Sequence, residues 1–79
     1  MSNLNKYDKS FIKGLSIKKN QINKKLKYNS IEQWDSIAHM NLMSELESAF
    51  KISIDTDDII DFSSYEKGKK ILKKYKIEI

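Results

Sequence analysis

The chain has 79 residues, an isoelectric point near 9.3 and a formal net charge of +4. A chain this short makes one domain, residues 1–79, and a domain of that size buries only about 60% of its unfolded surface, leaving room for a single core. The absence of cysteine excludes a thiol nucleophile, a disulfide and a cysteine-based zinc site, and one histidine is too few for a histidine-built metal cluster.

No apolar run approaches the roughly 20 residues that span a bilayer, and the polar N-terminus does not resemble a signal peptide. The expectation is a monomeric cytoplasmic protein. The charge is unevenly spread. Residues 1–28 carry a net +7, residues 29–61 a net −7 and residues 62–79 a net +4. All fifteen basic residues are lysine, and like-charged runs of this kind are ordinarily solvated faces. A small basic nucleic-acid-binding domain is the alternative from a different class. Against it, arginine, the commonest base reader, is absent, and the best-organised helix is acidic. We therefore expect no nucleic-acid partner.

In chain order, Leu4, Tyr7, Phe11 and Leu15 recur at spacings of three and four, one face of an amphipathic helix. Residues 18–30 lose that rhythm and read as a long loop pinned to the core by Ile22, Leu26 and Tyr28. Loops of that length are uncommon in compact domains and are often functional. A second helix fits residues 36–50, with Leu42, Met43, Leu46 and Phe50 on one face and His39 at its N-terminal end. Asp35 is placed to cap it. Ile52 and Ile54 alternate in a segment read as an extended connector, and residues 57–61 fit one helical turn. The last helix starts near Ser63, which has capping-box spacing to Glu66, and runs through Ile71, Leu72 and Tyr75. The expected fold is all-α: three main helices and one short helix, with a long loop leading into Ser36.

Because Asp35 fills the capping role, the Ser36 hydroxyl is free to point outward. Serine catalysis is not supported, since a nucleophilic serine needs an adjacent base with its own orienting group, and His39 projects toward the core face. Ile37 and Met40 fall away from the Leu42 and Leu46 face, with Glu47 on the same side as Ser36. A serine beside two outward apolar residues reads as a patch offered to another protein.

The segment Asp35-Ser36-Ile37 resembles the Asp-Ser-Leu signature of the acyl carrier proteins. The resemblance continues through Leu42, Leu46, Glu47, Phe50, Ile52 and Ile54, each on a family position. It covers nearly the whole chain and is specific from Trp34 to Phe50. It implies an acyl-carrier-like bundle in which Ser36 is the attachment point of phosphopantetheine, received from coenzyme A through a phosphopantetheinyl transferase with a divalent metal. Acyl groups would ride on the arm as thioesters, loaded and removed by ligase and acyltransferase partners that read Asp35, Ile37, Met40 and Glu47. The chain itself would be no enzyme. An aminoacyl or peptidyl carrier has the same arm and a different cargo. The chain departs from the strongly acidic carriers of fatty-acid synthesis: Ala38, Asn41 and Ser48 are uncharged on the second helix. Complementary charge sets encounter rate and partner choice. The resemblance therefore implies a specialised member, of the kind that serves surface-glycan or secondary-metabolite acylation.

Overall fold

The computed structural model describes residues 2–79. Four helices follow one another: α1 (Asn3–Leu15), α2 (Ser36–Phe50), α3 (Thr56–Asp61) and α4 (Tyr65–Lys73). The described residues form no strand, so the fold is the small all-α bundle expected, with its long loop between α1 and α2. No helix among them is long and apolar enough to cross a membrane.

Helices α1, α2 and α4 each begin at a capping side chain. The Ser2 hydroxyl accepts from the Asn5 amide, the Asp35 carboxylate from Ala38 and the Ser64 hydroxyl from Lys67. Each cap satisfies an amide that the first helical turn leaves without a partner. Ser16 and Lys51 close α1 and α2 in the left-handed conformation, at φ 55° and 54°. The start of α4 is where sequence spacing misleads. Ser64, not Ser63, caps α4, because the Ser63 carbonyl is occupied at 2.9 Å by the amide of Tyr28 from the long loop. Together with the Tyr65 amide on the Leu26 carbonyl, this bond pairs the loop with the segment ahead of α4.

The core is built from α1, α2, α4 and the segments between them, with Ile59 of α3 packed against it. Tyr7, Phe11, Trp34 and Phe62 are almost wholly enclosed, and the rings of Phe11 and Trp34 meet edge to face with centroids 5.5 Å apart. Leu42, Met43 and Leu46 supply the α2 side, as its periodicity predicts. Phe50, at the end of the same stripe, is half-buried. Leu4 departs from expectation: it is 42% exposed, and the α1 stripe is covered only from Tyr7 onward. Buried polar groups are paired. The Tyr7 hydroxyl donates to the Tyr65 carbonyl at 2.6 Å, and burial pushes its ionisation far above the ordinary tyrosine range. Two glycines permit the closest approaches. A Cβ on Gly14 would stand 2.5 Å from the Leu42 Cα, and one on Gly68 would stand 2.2 Å from both Phe62 Cζ and the Tyr7 hydroxyl.

The long loop is less featureless than its composition implies. Residues Lys19–Gln21 make one 3-10 turn, Leu26 is buried and Ile22 half-buried, whereas Tyr28 stays partly exposed. At the other end of the chain α4 stops at Lys73, so Tyr75 lies beyond the helix. Its hydroxyl is taken by Asp58 of α3, and it accepts in turn from the Asp55 amide at 3.0 Å. Asp58 also receives the Lys74 ammonium at 2.6 Å.

This cluster fastens the short α3 to the end of α4. Hydrogen bonds from Lys74 and Tyr75 hold the Asp58 carboxyl below the usual carboxylate range, and the same carboxylate holds Lys74 above its own. A depressed carboxyl stabilises the fold above its unfolded value, about 3.9, and the contribution is lost as pH falls through the folded value. Amide protection in α3, taken against the intrinsic exchange rate at each pH, is therefore expected to fall as pH drops through that lowered titration. Asp58→Asn should abolish that acid step. An unchanged acid profile in the variant would show that another carboxyl governs α3.

Candidate functional site

Asp35 sits in an extended conformation ahead of α2, and its carboxylate reaches the Ala38 amide at 2.8 Å. Its carbonyl accepts the first helical bond, from the His39 amide at 2.8 Å. Ser36 is thereby the first residue of α2, exposed, and its hydroxyl has no hydrogen-bond partner among the described residues. A capping serine would have spent that hydroxyl on the helix, so the division of labour leaves an accessible oxygen on a rigid backbone.

The approach to Ser36 is just as firmly set. Trp34 is fully buried, and the loop turns around it through the bonds Trp34 N to Ile31 O at 3.2 Å and Asn29 N to Trp34 O at 3.0 Å. Its indole donates to His39 Nδ1 at 2.9 Å. The other imidazole nitrogen lies 2.8 Å from the Ile59 carbonyl oxygen. Neither ring nitrogen faces Ser36.

Beside Ser36 opens a pocket of about 360 Å³. One wall is α2, through Ser36, His39 and Met40; the facing wall is Ile59 and Ile60 of α3. Phe62 and Ser63 close one end, with Tyr28 of the long loop alongside. The interior is mainly apolar. Of its lining residues Met40 and Ile60 are 55% and 73% exposed, and Ile37, next to Ser36 in the chain, is 74% exposed; these are the three most exposed large apolar side chains among the described residues. The structure thus brings together Asp35, Ser36, Ile37 and Met40, all anticipated from sequence. Ile59, Ile60, Phe62 and Tyr28 were not anticipated. The signal for one of them was present: adjacent isoleucines in a six-residue helix differ by about 100°, so both cannot face the core.

Glu47 belongs elsewhere. It shares the azimuth of Ser36, but eleven residues along a helix is about 16 Å. It is half-buried instead of lying free of the core, and its carboxylate accepts from the Ile54 amide at 2.8 Å, holding the extended connector against the end of α2. Glu47→Ala should lower stability by about 1 kcal/mol, the usual net worth of a hydrogen bond. Glu47→Gln, which retains an acceptor, should remain closer to the parent in urea unfolding. Equal losses in the two variants would assign the effect to charge rather than to this bond.

No family model, no curated protein and no solved structure matches the chain.

Proposed function

We propose that the protein is an acyl carrier: phosphopantetheine is attached to the Ser36 oxygen, and acyl groups travel on it. One observation carries the reading. An unpartnered serine hydroxyl, held at a helix start whose cap is supplied by its neighbour, stands at the edge of an apolar pocket. When attached, the arm supplies a thiol, absent from this cysteine-free chain, on which an acyl group is held as a thioester.

The residues present fit such a group. Asp35 keeps the Ser36 oxygen out of the capping network, so a transferase meets it exposed. Attachment would join the Ser36 oxygen to the phosphopantetheine phosphorus, break the pyrophosphate bond of coenzyme A and release adenosine 3′,5′-bisphosphate and the serine proton, while the helix keeps its N-terminal bond to Asp35. Phosphate at the first turn also sits favourably against the positive end of α2. Ile37, Met40 and Ile60 offer an apolar contact surface to a transferase, a loading ligase or an acyltransferase. Asp35 is engaged through one carboxylate oxygen, and the first turn has no other acid. Partner choice therefore rests more on apolar fit than on charge, in keeping with a specialised pathway. Glu47, being committed to Ile54, contributes to docking through the α2 end that it braces.

An aminoacyl or peptidyl cargo would use the same serine and the same pocket. The test is intact mass after incubation with coenzyme A, magnesium and a broad-specificity phosphopantetheinyl transferase. A gain of one phosphopantetheine group is expected. No gain under conditions that modify a control carrier would overturn the proposal.

A further inference from the structure

We infer that His39 is a positioning residue: its neutral imidazole clamps the loop ahead of Ser36 to α3, and protonation of the ring releases the loop. The inference goes beyond the carrier reading, because it concerns how the pocket wall is held whatever Ser36 carries.

The imidazole lies where three segments meet. An indole N–H only donates, so His39 Nδ1, 2.9 Å from Trp34 Nε1, must be an acceptor without a hydrogen. The single hydrogen of the neutral ring then sits on Nε2, which donates to the Ile59 carbonyl oxygen 2.8 Å away. One tautomer satisfies both partners. The rings of Trp34 and His39 are stacked, 21° apart in plane, and the edges of Tyr28 and Phe62 enclose the imidazole from two further sides. Trp34 is 0% exposed, so its N–H has no water to turn to.

Adding a proton places a hydrogen on Nδ1 and sets donor against donor. The bond to Ile59 survives, since Nε2 keeps its hydrogen, but the bond to Trp34 cannot. Nothing nearby offsets the charge. Tyr28 and Trp34 face the ring from the loop, Ile59 from α3 and Phe62 from the segment after it, and none is charged at neutral pH. On its own helix Asp35 is engaged with Ala38, while on α3 Asp58 is held by Lys74 and Tyr75, and Asp57 and Asp61 are exposed. Among the described residues no carboxylate forms an ion pair with the imidazole. On the charged ring the turn around Trp34, the residue two before Ser36, loses its fastening while α3 keeps its hold on the imidazole.

Nuclear magnetic resonance on the full chain tests this, following the imidazole nitrogens and the Trp34 indole N–H from about pH 8 to 5. The expected results are an Nε2–H tautomer at neutral pH and, relative to the intrinsic exchange rate at each pH, about a tenfold loss of indole protection as the ring charges, corresponding to loss of one hydrogen bond. His39→Gln supplies an acceptor and a donor without titrating, and should keep the fold while losing that transition. An Nδ1–H tautomer, an indole indifferent to the imidazole titration, or the same transition in the glutamine variant would each overturn the inference. Should the variant not fold, tautomer and exchange in the parent decide it. The Asp58 step falls below the ordinary carboxylate range and is separate. None of these readouts needs the arm, so an unmodified Ser36 would sink the carrier reading and leave the clamp standing, and the reverse also holds.

Discussion

Ser36→Ala is expected to abolish phosphopantetheine attachment completely and to leave stability within about 0.5 kcal/mol of the parent. The two halves of that result have separate causes. Attachment is lost because the hydroxyl is the only atom group removed and no other serine shares its setting. Ser2 and Ser64 spend their hydroxyls as caps, Ser10 donates to the Lys6 carbonyl, and Ser30 bonds both the amide and the carbonyl of Lys27. Ser44 and Ser48 lie inside α2, and Ser16, Ser53 and Ser63, the last also lining the pocket, lie outside the helices. Stability is kept because Asp35, not Ser36, caps the helix, and alanine is a good helix former. Intact mass and thermal unfolding of variant and parent measure the two halves. A variant that still gains the arm would move the attachment site, and one that unfolds would make Ser36 structural.

Leu46→Ala is expected to destabilise the fold strongly. Leu46 is 0% exposed and belongs to the core built by α1, α2 and α4, against which Ile59 of α3 packs. Removing its branched end costs the transfer energy of the lost atoms plus a cavity term, about 2–5 kcal/mol for a leucine of this kind. Native domains are stable by only about 5–15 kcal/mol, so the loss is a large share of the whole. It should appear as a lower denaturant midpoint with an unchanged slope. A midpoint within error of the parent would mean that the helix phase places another residue at the centre of the core.

The α2 face was legible in the sequence because periodicity and a cap agree there. Leu42, Met43 and Leu46 are buried together, Ile37 and Met40 are left outside, and Asp35 marks the start. What was not legible depends on partners distant in the chain. Ser63 and Ser64 are equally able caps by spacing, and the choice is made by Tyr28, thirty-five residues away, which occupies the Ser63 carbonyl. Tyr75 keeps helical spacing to Ile71 and Leu72, yet its hydroxyl is drawn to Asp58. Glu47 faces away from the stripe by phase, but the incoming connector brings the Ile54 amide to it. The pocket beside Ser36 exists only because α3 is folded against α2, and a six-residue helix carries too little pattern to announce that. His39 was readable as a residue at the core edge. Its role as a bridge was not, because Ile59 lies twenty residues downstream.

The account turns on where the arm is joined, and peptide fragmentation of the transferase-treated chain locates it most directly. The fragment series should place phosphopantetheine on Ser36 and on no other residue. An arm mapped to a different side chain, or a chain left unmodified beside a control carrier that is fully converted, would contradict the account.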